Sequence, residues 1–262
     1  GEWELALPRA VAVELIQAAT LIHDDFVDQD RMRRNMPAIW TLEGARKAVL
    51  MGDVIFASAI HMMSEIGRDD GLVVSRVIAQ ISRGALMEPS DPLPFMEQMT
   101  SENWSGDHYK KIIHLKTGVL FGAACELGAI SVEADEGIRL HCKRYGSLIG
   151  GAYQIADDIK EIKQHLLHGQ INSHQMALLA PAVLCFSKEA FIFVPPLLAG
   201  RSVEIVQPFR ECLRSAVDLM EKEIRRLLAL AVAEVQEILR EKRNTSLGLK
   251  APEELIAMFN IS

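Results

Sequence analysis

Leu21-Ile22-His23-Asp24-Asp25-Phe26-Val27-Asp28 is the stretch on which the fold of this chain is decided. An apolar run leads into it. Val11, Leu15, Ala18, Ala19 and Ile22 fall at three- and four-residue steps, the period of a helix with one buried face. Asp24 and Asp28 then lie one turn apart on a shared face. Like charges at that spacing destabilise a helix by roughly 0.2–0.5 kcal/mol. Two acids kept there, directly after a buried run, point to a cation between them. The arginine-rich turn Arg31-Met32-Arg33-Arg34 follows, and Pro37 ends it.

The same helical period recurs outward from this stretch. Residues 44–66 read as a second helix, 67–71 as a turn, and 72–87 as a third helix closed by Pro89, Pro92 and Pro94. A short helix is expected over 95–103. Asp107 and Asp135 stand where N-caps would start two more helices, the second running to about residue 162. Residues 163–173 are less regular. Helices are expected over 176–193, bent at Pro181, over 202–240, kinked at Pro208, and over 251–259. No two-residue alternation is sustained, so no strand is predicted. The expected class is all-α: one domain over residues 1–262, a bundle of long antiparallel helices.

Composition narrows the function. Apolar residues make up 49% of the 262, enough for a sizeable core. The net charge of −7 excludes a general nucleic-acid binder, which needs a basic face. Cys125, Cys142, Cys185 and Cys212 are scattered without metal or redox spacing, which predicts a reduced, cytoplasmic protein. No signal peptide is read, and no apolar run is judged long enough to span a bilayer.

A second acidic cluster repeats the first. Asp157, Asp158 and Glu161 end another apolar helix, after Gly150, Gly151, Tyr153, Gln154 and Ile155, with Asp157 and Glu161 one turn apart. Either cluster alone reads equally well as a solvated helix end. Two together point to an oxygen-only cage for a hard divalent cation such as Mg²⁺, which keeps water and substrate phosphate in its shell. Arg31, Arg33 and Arg34 offer bidentate phosphate contacts, or salt bridges to the neighbouring aspartates. Lys116-Thr117 sits inside an apolar helix, where a lysine needs an anionic partner or must snorkel to solvent.

Taken together, these motifs resemble those of the trans-isoprenyl (polyprenyl) diphosphate synthases. LIHDDFVDQDRMRR is similar to the family's first aspartate-rich motif with its trailing arginines, and LKTGVLFGAACELGA to its Lys-Thr helix. GGAYQIADDIKE is similar to the second aspartate-rich motif, and VLMGDVIFASA to the helix after the first. The resemblance spans roughly residues 15–162. It implies an isoprenoid-synthase bundle around a central active-site cavity, working as a homodimer. Asp24, Asp28, Asp157, Asp158 and Glu161 would hold Mg²⁺. Arg33, Arg34 and Lys116 would bind the substrates, an allylic diphosphate and isopentenyl diphosphate. Lys116 would also act in catalysis, with Thr117 and Gln154 near the reacting carbons. The implied reaction is head-to-tail condensation. Small Ala19, with Thr20 and Ile16, replaces the bulky aromatic residues that stop short products, which implies a medium- or long-chain product. Ala19 packing against a neighbouring helix is the plainer alternative.

The chain departs from the family pattern in places. No Gly-Lys-Arg segment precedes Asp24, Asn35 stands where Gly is usual, and Glu161 replaces Asp. After Glu161 only Lys163, His165, His168 and His174 offer basic groups where the family has lysine-bearing segments. Two other readings therefore stand beside elongation. One is an enzyme that ionises an allylic diphosphate for another acceptor or cyclises it as a terpene cyclase does. The other is a non-catalytic subunit of a heteromeric synthase.

Overall fold

The structure is a computed structural model that describes residues 3–88, 107–199 and 202–242. The helices expected over 95–103 and 251–259 lie outside the described residues. The first helix, α1 (Trp3–Val27), buries Ala12, Ile16, Ala19 and Ile22 on one face, as their spacing requires. A hairpin follows, β1 (Met32–Arg33) against β2 (Met36–Pro37), with Arg33 opposite Met36. Its two loop residues, Arg34 and Asn35, have φ of 51° and 64°, the left-handed pair that a two-residue hairpin turn demands. Asparagine accepts that conformation readily, so Asn35 serves where glycine was expected.

Next come α2 (Ile39–Glu43), α3 (Ala45–Ile66) and α4 (Arg68–Met87). The turn expected over 67–71 shrinks to Gly67. Asp69 and Asp70 belong to the first turn of α4, where the positive end of the helix dipole favours them. Asp70 is also buried against Arg9, 2.7 Å away, which ties α4 to α1.

The Lys-Thr segment is not one regular helix. It is α5 (Asp107–Ile113), a π-helical turn (His114–Gly118), and α6 (Val119–Ser131). The longer α7 (Glu136–His168) starts where Asp135 caps the Ile138 N–H at 2.9 Å, as its position predicts. It runs past residue 162, so most of the segment expected to be irregular is helical.

β3 (Gln170–Asn172) then pairs with β4 (Ser202–Glu204), and α8 (Ser173–Phe186) opens on a capping box of Asn172 and Gln175. The helix expected to run to 193 stops at Ser187 and gives way to a 3₁₀ turn (Lys188–Ile192) and α9 (Val194–Ala199). The final α10 (Gln207–Lys242) carries Pro208 in its first turn, where a missing N–H costs nothing; the expected kink is replaced by a helix start. The two strand pairs correct the expectation of no strands. They are too short for an alternation to register in sequence.

Among the described residues, two large apolar cores stand beside a small one around Ile138. Ile16, Met63, Val74 and Leu127 join α1, α3, α4 and α6. Ile155, Met176, Phe209 and Ile224 join α7, α8 and α10. The π-turn packs on α4 and on α7, between the two cores. Both contacts are closer than a side chain allows. A Cβ on Gly84 would lie 2.8 Å from the Lys116 nitrogen, and one on Gly150 would lie 2.9 Å from the Gly118 Cα.

One expectation about apolar runs is overturned. Trp3–Val27, Ala45–Ile66 and Asp107–Ser131 are each long and apolar enough to cross a membrane by length and composition. The runs escape notice because their few charges interrupt them without lowering the mean. In the fold they pack on one another and on α4 and α7.

Gly84→Ala is expected to push α4 away from the π-turn and cost about 1–3 kcal/mol in a urea melt.

Candidate active site

Lys116 stands at the centre of the site. Its ammonium lies 2.5 Å from Glu88 Oε2, at the end of α4. Burial pulls its pKa down, but Glu88, Asp24 and Asp28 together pull it up further, so it stays charged. The half-buried lysine thus finds an anionic partner in Glu88, the first of the two readings of its position. Glu88 was not singled out from the sequence. The signal available was an acid at a helix end just before Pro89, a pattern common on surfaces.

The carboxylates pay for this crowding in proton affinity. Burial raises the pKa of Asp24, with Lys116 and Arg33 opposing. Asp28 is pushed up to about 6, again chiefly by burial, with Glu88, Asp24 and Asp30 adding to it and Lys116 opposing. Three carboxylates around one ammonium leave an excess of negative charge. That excess suits a hard cation, and every donor is oxygen.

Among the described residues, no three acids, histidines or cysteines converge closely enough to enclose an ion unaided. Asp24 and Asp28 fit an ion whose shell is completed by water and phosphate oxygens, the habit of Mg²⁺.

Arg33 is engaged by a neighbour. Its Nε lies 2.5 Å from Oδ1 of buried Asp25, the salt-bridge alternative for the arginine turn. Arg34, at the hairpin tip, is exposed. His23 donates from Nε2 to the Val49 carbonyl at 3.0 Å and stacks edge-on with Phe56, which fixes α1 against α3 beside Asp24.

The second acidic cluster divides its members. Asp157 is exposed. Asp158, expected as a metal ligand, turns inward: its oxygens accept from the Tyr109 hydroxyl at 2.6 Å and from Gln154 Nε2 at 3.0 Å. Burial raises its pKa to about 7, against those two hydrogen bonds. Glu161 faces His165, 3.8 Å away. Lys163 pairs with Glu221 on α10 at 3.1 Å, which removes it as a phosphate ligand in this arrangement.

Thr117 and Gln154 do come together, the hydroxyl donating to the amide oxygen at 2.6 Å. The Lys116-Thr117 pair therefore stands between the two acidic motifs, with the ammonium in electrostatic range of Asp24 and Asp28. Lysine faces the first, and threonine reaches the second through Gln154. His174, on α8, donates to the Asp28 carbonyl at 3.2 Å and brings the second half of the chain to the first motif.

The pocket enclosed by Glu88, Tyr109, Lys116, Gln154 and Asp158 is narrow, about 20 Å³. A larger cavity of about 560 Å³ lies beyond Tyr109, between α5, α7 and α10, and includes none of the motif acids. Ile16 and Ala19 are fully buried in the helix packing, and the Thr20 hydroxyl donates to Gln17 O at 2.8 Å.

An all-α bundle with a lysine between two acid-bearing helix ends defines the isoprenoid-synthase class. Residues 1–166 match the polyprenyl synthetase family model, and the chain belongs to that family. It is 32% identical over 162 residues to a geranylgeranyl diphosphate synthase of Methanosarcina mazei, covering 60% of this chain and 48% of that one. It is 34% identical over 162 residues to heptaprenyl diphosphate synthase component 2 of Geobacillus stearothermophilus, covering 61% and 48%. The chain thus spans about half the length of these relatives. A polyprenyl synthase from Caulobacter crescentus, complexed with calcium and isoprenyl diphosphate, superimposes with a TM-score of 0.67. It is 26% identical, over 97% of this chain and 77% of that one.

Asp28 and Asp158 hold protons in the fold that the unfolded chain has lost between about pH 4 and 7. Their contribution to stability therefore falls as pH rises through that window. Asp28→Asn is expected to raise Tm by about 2–4 °C at pH 7.5, with little gain at pH 4. Added Mg²⁺ should stabilise the parent protein more than the variant in the same melts.

Proposed function

We propose that the chain condenses isopentenyl diphosphate head-to-tail with an allylic diphosphate and releases diphosphate. The observation that carries this is the Lys116-Thr117 turn, with its ammonium among Glu88, Asp24 and Asp28 and its hydroxyl on Gln154. The names of the relatives, a geranylgeranyl and a heptaprenyl diphosphate synthase, support it.

Asp24 and Asp28, with Asp157 from the second motif, would hold Mg²⁺, which supplies positive charge to the leaving diphosphate. Lys116 adds a fixed cation to the same oxygens. Arg33, held by Asp25, lies beside the first motif and would contact that diphosphate through its free guanidinium nitrogens. Arg34 would take the second substrate. When the allylic carbon–oxygen bond breaks, its electron pair leaves on the diphosphate. The double bond of isopentenyl diphosphate then attacks the allylic cation. A proton lost from the adjacent carbon passes to the departed diphosphate and restores a double bond. The apolar core beneath Asp24 keeps water from the cation. Ala19, too small to block a growing chain, supports a medium- or long-chain product, with Ile16 and Thr20 on the same buried face of α1.

A homodimer is proposed on the outer face of α3, where Leu50, Met51 and Val54 are exposed together and Val54 is 65% exposed. A second copy offers the same apolar face. A reducing, cytoplasmic setting is proposed from the scattered spacing of the four cysteines. A heteromeric partner role is favoured by one observation: the Geobacillus relative is named as a component.

The test is incubation of the purified chain with Mg²⁺, isopentenyl diphosphate, and geranyl, farnesyl or geranylgeranyl diphosphate, followed by product sizing. Elongated product that requires both substrates is expected, and Asp24→Ala should lower kcat by about 10²–10³-fold. No product from any starter overturns the proposal. Consumption without isopentenyl diphosphate would instead support another acceptor or cyclisation. In sedimentation, the parent should run as a dimer and Val54→Glu as a monomer.

A further inference from the structure

Tyr109 takes no part in the steps above, yet its hydroxyl is buried and directed. The residue is 3% exposed and its ring meets Phe186 edge-on at 5.9 Å. Its hydroxyl donates to Asp158 Oδ2 at 2.6 Å, Asp158 Oδ1 accepts from Gln154 Nε2 at 3.0 Å, and Gln154 Oε1 accepts from Thr117 Oγ1 at 2.6 Å. Three hydrogen bonds thus run from the core to the Lys-Thr turn.

Donor and acceptor chemistry forces the direction of this chain. Ionised Asp158 only accepts, and in that state Gln154 offers it the amide nitrogen and offers Thr117 the carbonyl. Thr117 must then give its one proton to that carbonyl. Its lone pairs then remain able to accept, and an oxygen with lone pairs beside a carbon favours positive charge there.

The π-turn makes the arrangement possible. Tyr109 and Thr117 are eight residues apart, which in a regular helix would turn them about 80° from each other. The wider π-turn at His114–Gly118 takes up part of that excess, and both side chains bond to α7.

We propose that Tyr109 is a positioning residue for the condensation, acting through Asp158 and Gln154 to hold the Thr117 hydroxyl with its lone pairs toward the reacting carbons. The proposal rests on the elongation reading. It assigns Asp158 to the hydrogen-bond chain, where its sequence position suggested a metal ligand.

Tyr109→Phe removes the hydroxyl and keeps the ring against Phe186. With farnesyl and isopentenyl diphosphates, kcat should fall about ten-fold and both KM values should stay within about two-fold. The side-chain amide signals of Gln154 in a ¹H–¹⁵N spectrum of the unliganded protein should move. Thr117→Val should lose a similar factor, and the double variant no more than either single one, as groups acting in series do. Unchanged turnover, additive losses or unmoved Gln154 signals would overturn the role of Tyr109 alone. A parent protein that makes no product would overturn the elongation reading and this role with it.

Discussion

The rest of the site depends on one half-buried ammonium. Lys116 carries its charge into the space between the two apolar cores, where a lone cation is costly. It stays there because Glu88, Asp24 and Asp28 face it from two other elements, and they remain together because it lies among them. Remove the lysine, and three carboxylates lose the cation that offsets their charge, with Arg33 left beside Asp24. Remove the carboxylates, and the lysine loses its reason to be inside. The excess of negative charge left over is what the proposed metal with its phosphorylated ligand would offset.

The backbone serves this constraint. Gly84 and Gly150 let α4 and α7 close on the π-turn to distances that a Cβ would prevent. The turn in turn aims Lys116 at the first motif and Thr117 at the second. A regular helix through the same residues would aim one of them elsewhere. His23, pinned to the Val49 carbonyl, and His174, on the Asp28 carbonyl, hold the first motif from either side.

Much of this was legible in the sequence, for identifiable reasons. The 3.6-residue period in α1, α3 and α7 is written by burial on one face, and burial leaves its mark residue by residue. Asp24 and Asp28 were legible because a repulsive pair after an apolar run needs an explanation. Lys116 was legible because a lysine in an apolar helix does too. The hairpin at residues 32–37 was not, since two-residue strands carry no alternation; Asn35 was its one local signal. Glu88 and Tyr109 were not, because each is ordinary in its own segment and gains meaning only from what lies opposite. Asp157, Asp158 and Glu161 looked equivalent in sequence. Their different partners, solvent, Tyr109 with Gln154, and His165, separate them in space.

The sequence by itself determined the helical class, the family and the residues that carry charge or hydroxyl groups to the site. Periodicity and residue chemistry are local properties, readable along the chain. The tertiary structure decided which of those groups meet: lysine with the glutamate that ends α4, arginine with Asp25, and Asp158 with a tyrosine 49 residues away. Such pairings are set by how helices pack and where a π-turn shifts the register of a face. Distances between helices, unlike spacings within one, leave no local trace in the order of residues.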